Sequence, residues 1–237
     1  MQLNFAAREI AIKLVYYGPA LSGKTTNLKS LHGLVRDDSR GRLMTLETKD
    51  DRTLFFDLLP LVIKADGGMT LRVKVFTVPG QVVHASTRRL VLQGADGVAF
   101  VADSQKSEAE NNATSFLDLR ANIKELGRSL SEVPLVIQFN KRDLPNVRAD
   151  AEIDKLAKKS KEPVYKASAV SGKGVLESFF GLLDLSFRRL DGEHDLSNKL
   201  GLPSGAFLDM AATALGHEGK ARALSAAHVG AENGGPR

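Results

Sequence analysis

Gly18-Pro19-Ala20-Leu21-Ser22-Gly23-Lys24-Thr25 fits the pattern G-x-x-x-x-G-K-[ST], and it constrains the fold more than any other stretch of the chain. It follows an apolar run at 10–17 and precedes a segment with helical spacing at Leu28, Leu31 and Val35. A strand, a glycine-bearing loop and a helix in that order are the context of a phosphate-binding loop. The two glycines let backbone N–H groups turn inward around an anion, and the helix N-terminus adds its dipole. Lys24 is placed to reach β- and γ-phosphates, and the Thr25 hydroxyl to ligate Mg²⁺. Gly18, Ser22, Gly23, Lys24, Thr25 and Thr26 are therefore the candidate phosphate contacts. A glycine turn without a ligand is the plainer account, and the rest of the chain argues against it.

Around that loop the residue pattern is of the α/β class. Residues 9–17, 71–78, 97–103, 134–140 and 164–169 are short apolar runs rich in Val, Ile, Leu and Phe, and 42–48 reads as an added edge strand. Several of these runs suit strands buried on both faces. Helical segments are predicted between them at 24–36, 85–93, 108–128, 150–160 and 174–190. Phe116, Leu119, Ile123 and Leu126 share one helix face, and Val175, Phe179, Leu182, Leu183 and Phe187 share another. The alternation predicts βαβ units and a mostly parallel sheet flanked by helices. A ligand then sits beyond the carboxyl ends of the strands.

This domain is expected over 1–191, and 237 residues suffice for it with sequence to spare. Beyond 191 the periodicity fades into Gly, Ala and polar residues. Residues 192–237 are expected to be a flexible extension, with a short helix near 206–216 and a disordered end from Gly230.

Composition removes several function classes. With no cysteine, disulfides, thiolate metal sites, thiol catalysis and prenylation are out. Lys and Arg number 33 against 28 Asp and Glu, interleaved along the chain, which is too small an excess to argue for nucleic-acid binding. No apolar run approaches the ~18 residues that span a bilayer. The first residues carry Arg8, Glu9 and Lys13 in place of a signal-peptide apolar core. A cytoplasmic protein without a transmembrane segment is expected.

Four further stretches carry chemistry. Asn140-Lys141-Arg142-Asp143 ends an apolar run, giving N-K-x-D at the carboxyl end of a strand. A carboxylate there can accept from guanine N1–H and its 2-amino group, neither of which adenine offers. Sites built this way discriminate by ~10⁴–10⁵. Lys141 can lay its stem on the base while its ammonium stays hydrated, and Asn140 can tie the base loop to the phosphate loop. Ala167-Ser168-Ala169, 25 residues beyond Asp143, matches the element whose backbone N–H meets guanine O6, with Ser168 and Ala169 as the candidates. In Thr77-Val78-Pro79-Gly80-Gln81, the Gly80 N–H can approach a γ-phosphate and Gln81 can orient a water for in-line attack. Asp51-Arg52-Thr53-Leu54-Phe55-Phe56-Asp57 places Thr53 to complete a Mg²⁺ shell and Arg52 to neutralise the transferring phosphoryl group. A solvated surface arginine is the simpler account of Arg52 on sequence alone.

Together these motifs resemble a Ras-like small G domain of the P-loop NTPase class, and more narrowly the bacterial MglA-type gliding-motility GTPases. The narrower match rests on Val15 to Pro19, Gly23 to Leu28, Asp51 to Asp57, Phe76 to Gln81, Gly97 to Ser104 and Val136 to Asn146. The resemblance covers roughly residues 8–190. It implies GTP/GDP cycling with Mg²⁺ as cofactor, slow intrinsic hydrolysis, and a switch role in cell polarity or motility. It also implies a roadblock-type GTPase-activating protein, an exchange factor and effectors as partners, with recruitment to cell poles or a membrane surface through them. Arg52 and Gln81 are the catalytic residues it implies.

Two departures matter. Thr77 stands where most Ras-like proteins have the aspartate of D-x-x-G, so a water-mediated carboxylate contact to Mg²⁺ is missing and weaker metal retention is expected. Ala20 and Leu21 replace glycines that admit an arginine finger from a partner, which favours a finger in cis. Two other readings compete: a nucleotide-binding scaffold without significant turnover, and a P-loop kinase acting on a small metabolite. Arg52 and Gln81 speak against the first, and the base-reading carboxylate against the second.

Overall fold

The computed structural model describes residues 2–4, 7–46, 56–64, 68–80 and 85–229. Among the described residues eight strands form one sheet: β1 (Gln2–Asn4), β2 (Glu9–Tyr17), β3 (Met44–Leu46), β4 (Phe56–Lys64), β5 (Thr70–Thr77), β6 (Gly97–Asp103), β7 (Leu135–Asn140) and β8 (Val164–Lys166). Their order is β3-β4-β5-β2-β6-β7-β8, with β1 antiparallel to the first half of β2, which β6 leaves unpaired. β5, β2, β6, β7 and β8 run parallel, whereas β4 is antiparallel to β5 and to β3.

Helices cover both faces. On one lie α1 (Lys24–Leu34), α5 (Val175–His194), α6 (Leu196–Leu200), α7 (Ser204–Ala214) and α8 (Ala221–Ala226); on the other, α2 (Ala85–Leu92), α3 (Ala109–Glu125) and α4 (Asp150–Ala157). β2 divides its side chains between two cores: Ile10, Ile12, Leu14 and Tyr16 toward the α1–α5 side, Val15 and Tyr17 toward α3. Every residue of β6 is buried, as a central parallel strand requires.

Parallel strands put their carboxyl ends on one rim, here Tyr17, Thr77, Asp103, Asn140 and Lys166. The sheet's order reverses at β2, so the loop after Tyr17 opens into the crevice at the topological switch point. β4 runs the other way and delivers its first residues to that same rim, with Leu58 opposite Phe76.

β4 has no counterpart among the strands expected from sequence. Pro60 argues against a strand interior, yet its missing N–H faces beyond the end of β3, where Gly41 N donates to Pro60 O at 2.8 Å. The strand's alternation is intact: Asp57, Leu59, Leu61 and Ile63 all point inward.

The flexible extension expected over 192–237 is corrected for residues 195–229. The expected boundary at 191 falls inside α5. Leu196, Phe207, Leu208, Ala211, Ala212, Leu215 and Ala221 are buried in the same core as α1 and α5. Phe207 stacks on Phe187 with ring centroids 3.8 Å apart and planes at 12°. The extension also grips the connection after α1: Arg36 N donates to Leu215 O (3.2 Å), Ser39 Oγ to Ala214 O (2.8 Å) and His217 Nε2 to Leu34 O (2.8 Å). Composition averaged a polar segment and did not register that α5 presents Phe187 and Leu190 to be covered. Residues 230–237 lie outside the described residues.

Candidate functional site

The phosphate loop follows β2 directly. Gly23, the N-cap of α1, has φ 95°, and a Cβ there would meet Asn140 Nδ2 at 2.3 Å, so both backbone conformation and close approach require glycine. Lys24 lies beneath the loop, buried, with Nζ donating to Gly18 O at 2.9 Å and Pro19 O at 2.6 Å. Burial, reinforced by the nearby Arg88 charge and opposed by Asp57, pulls its pKa from 10.5 to about 7. Among the described residues no carboxylate forms an ion pair with this ammonium, and a phosphate group would supply one. Ser22 is fully buried and its carbonyl accepts from Asn140 Nδ2 at 2.9 Å.

A cavity of about 540 Å³ opens over this loop, lined by Ala20, Leu21, Gly23, Lys24, Thr25, Thr26, Thr45, Phe56, Asp57, Thr77, Val78, Pro79 and Gly80. Gly80 comes in against the phosphate loop: a Cβ on it would lie 2.4 Å from Ala20 N and Cα. Thr25 Oγ1 donates to Asp57 Oδ2 at 2.6 Å. Thr77 Oγ1 donates to the same oxygen at 2.9 Å and accepts Asp57 N–H at 2.9 Å, while Thr45 Oγ1 donates to Asp57 Oδ1 at 2.8 Å. Hydroxyl and carboxylate oxygens with no sulfur or imidazole form a hard donor set, which fits Mg²⁺ together with phosphate oxygens. Among the described residues no cluster of three His, Cys, Asp or Glu could hold a metal unaided.

A second cavity, about 240 Å³, adjoins the first through Leu21, Gly23 and Thr26 and continues along Asn140, Lys141, Asp143, Leu144, Ala169 and Val170. Asp143 is exposed at its mouth, and its carboxylate has no partner among the described residues. Asn140 joins the two regions: Nδ2 holds Ser22 O, and Oδ1 accepts Ala169 N–H at 2.9 Å. Two details differ from the sequence expectation. The Lys141 ammonium is not left to water but pairs with Asp103 Oδ2 at 2.7 Å, because the buried Asp103 carboxylate ends the neighbouring strand and needs a cation. Of the third element, Ala169 lines the cavity, while Ser168 is buried behind it with its N–H donated to Lys173 O at 2.9 Å.

The structure thus brings together Gly18, Ser22, Gly23, Lys24, Thr25, Thr26, Gly80, Asn140, Lys141, Asp143 and Ala169. Arg52, Thr53 and Gln81 lie outside the described residues, as does the Leu54-Phe55 part of their segment. Sequence reasoning gave no role to Asp57, whose signal was a carboxylate in phase with the inward leucines of β4. It also passed over Arg88 of α2, buried, with Nε 2.9 Å from Asp118 Oδ2 on α3. Tyr17 donates to that same Asp118 oxygen, and burial ahead of this bond raises its pKa well above the usual phenol value.

Comparison with known proteins gives a consistent answer. Residues 2–185 match the ADP-ribosylation factor family. The chain is also similar to the mutual gliding-motility protein MglA of Myxococcus xanthus, at 44% identity over 188 residues, covering 79% of this chain and 96% of that protein.

Proposed function

Because the chain belongs to the MglA-type small GTPases, within the match to the ADP-ribosylation factor family, we propose how its own residues perform the guanine-nucleotide cycle. It binds GTP, hydrolyses it to GDP and phosphate, and acts as a switch. The observation that carries the residue assignment is the junction of the two cavities at Gly23 and Thr26, fixed by the two hydrogen bonds of Asn140. A phosphate chain in one cavity and a base in the other are then held by a single connected wall.

In this reading Asp143 accepts from guanine N1–H and the 2-amino group, and Ala169 borders guanine O6. Lys24 and the amides of 18–26 hold the β- and γ-phosphates. Thr25 and Thr53 would hold Mg²⁺, which when bound neutralises charge on phosphate oxygens. Gly80 senses the γ-phosphate by backbone approach, Gln81 orients the attacking water, and Arg52 stabilises the charge of the transferring group. A roadblock-type activator, an exchange factor and effectors complete the cycle. A role in motility is supported by the gliding-motility relative, and control of polarity with recruitment to a cell pole or membrane surface through those partners belongs to the same proposal. Among the described residues no helix is long and apolar enough to cross a membrane.

The test is competition for labelled GDP on the purified protein, chased with GTP, ATP or xanthosine triphosphate. GTP is expected to displace at least ~10³-fold better than ATP, scaled from hydrogen-bond discrimination. Asp143→Asn should move the preference toward the xanthine nucleotide. Equal displacement by ATP and GTP removes the base assignment.

A further inference from the structure

The missing carboxylate at Thr77 has a replacement within reach. We propose that Asp57, at the start of β4, is the acidic member of the magnesium site, doing from an antiparallel strand what the D-x-x-G aspartate does from the end of β5 in other Ras-like chains. This rests on reading the cavity as a GTP and Mg²⁺ site.

Mg²⁺ keeps several of its waters and is held by one or two carboxylates together with substrate phosphates. Asp57 is the one carboxylate among the described residues lining the phosphate cavity. It is buried, and its Oδ2 lies 2.6 Å from the hydroxyl of Thr25, the residue placed to ligate the ion. A hydroxyl has one proton and two lone pairs. With its proton committed to Asp57, Thr25 Oγ1 turns its lone pairs toward the cavity, where an ion can take one.

Thr77 then has a positive role. Its hydroxyl bonds Asp57 Oδ2, and its oxygen takes the Asp57 N–H. The residue that appears to have lost the carboxylate is the one that seats the substitute. Thr45 fixes the second oxygen. The register explains how this is possible: Leu58 faces Phe76, so Asp57 and Thr77 are adjacent across the β4–β5 pair at the site rim. On this account metal retention is not weakened by Thr77. Asp57 acts as a positioning residue, through Thr25 and through the waters of the ion.

The alternative is an internal strut, a buried carboxylate whose only task is to join three threonines. Asp57→Asn separates the two, since it keeps the shape and an acceptor oxygen while removing the charge. Full-length protein is loaded with fluorescent GDP and its release rate followed from excess EDTA to millimolar free Mg²⁺. In wild type, Mg²⁺ is expected to slow release. Asp57→Asn should release GDP at the wild-type rate in EDTA but need ~10–100-fold more free Mg²⁺ for half of the effect, the usual loss on removing an outer-shell partner. Adding Thr77→Asp to that variant should return the midpoint to within a few-fold of wild type. Thr45→Val, which cuts one arm of the strut and leaves the charge, should move the midpoint far less than Asp57→Asn does.

An unchanged midpoint in Asp57→Asn overturns the proposal. So does fast GDP release in EDTA, or a midpoint shift in Thr45→Val as large as that of Asp57→Asn, since either marks a strut. Should Asp57→Asn fail to fold, the Asp57→Asn/Thr77→Asp pair carries the test. A wild-type-like midpoint in the pair supports the proposal, and an unfolded or Mg²⁺-insensitive pair overturns it. Absence of any Mg²⁺ effect on wild type is a separate result, which removes the reading of the site and the proposal with it.

Discussion

Phe207→Ala tests whether the extension belongs to the folded core. The ring is fully buried and lies parallel to Phe187 of α5, with Leu208, Ala211 and Leu215 completing the packed face of α7. Truncating a buried phenylalanine to alanine costs about 3–5 kcal/mol, from lost transfer free energy and the cavity left behind. The aromatic pair contributes about 0.5–1.5 kcal/mol of that beyond area alone. A domain is stable by only about 5–15 kcal/mol, so this is a large share. For a chain of this size each kcal/mol moves the melting temperature by about 2–4 °C, giving an expected fall of roughly 6–20 °C. Urea unfolding followed by circular dichroism, with GDP absent, gives the free energy and the slope together. An exposed control, Lys220→Ala, should change stability by less than about 0.5 kcal/mol. Removing everything after Gly192 should cost more than Phe207→Ala, because Leu196, Phe207, Leu215 and Ala221 all leave the core. If Phe207→Ala behaves like the surface control, α7 does not pack on α5 and the argument for an integral extension fails.

Two other predictions concern the nucleotide cycle. With Lys24 held near pKa 7 in the empty site against 10.5 unfolded, the unfolded chain binds more protons between these values. The cost that Lys24 puts on the stability of the nucleotide-free protein is therefore full below pH 7 and is relieved as pH rises toward 10.5. A bound phosphate chain restores the charged form, so GDP binding at pH 8 should take up close to one proton, about 0.9 at most. Calorimetry in buffers of different ionisation enthalpy reads this directly, and zero uptake at pH 8 would refute it. Arg52→Ala and Gln81→Leu should each leave GTP affinity near wild type and abolish activator-stimulated hydrolysis, an arginine finger being worth ~10³–10⁵ in rate. The double variant should be far less than additive; normal activated hydrolysis by Arg52→Ala would return that residue to a surface charge.

The central strands were legible because burial on both faces leaves continuous apolar runs, as in 97–103, all seven of them buried, while β5 showed itself by alternation. The loops after those strands followed from the fold class, and Asn140 from its motif. What escaped was set by contacts distant in sequence. β4 was hidden by Pro60, harmless only because β3 begins at Met44, opposite Leu58, so that the ladder asks no N–H of Pro60. The packing of α7 and α8 escaped because it answers an apolar strip on α5 and β4, a partnership no local window contains. The tripeptide 167–169 did not say that Ser168 would be buried with its N–H on Lys173 O while Ala169 lines the cavity with its N–H on Asn140 Oδ1. Arg88 looked like any helical surface arginine until α3 brought Asp118 against it.

The helices that cover α5 follow it in the chain, so during synthesis the covered surface is made before its cover. Phe187 emerges from the ribosome well before the helix that covers it, since Leu215 follows 28 residues later (215 − 187 = 28). At roughly 5–20 residues per second, that interval lasts about one to six seconds. Through it the nascent domain carries the β4 and α5 strip uncovered, including Leu190 and the ring of Phe187. A chain stalled or cut in this interval exposes an apolar strip that α7 hides once it has been made and has packed on α5.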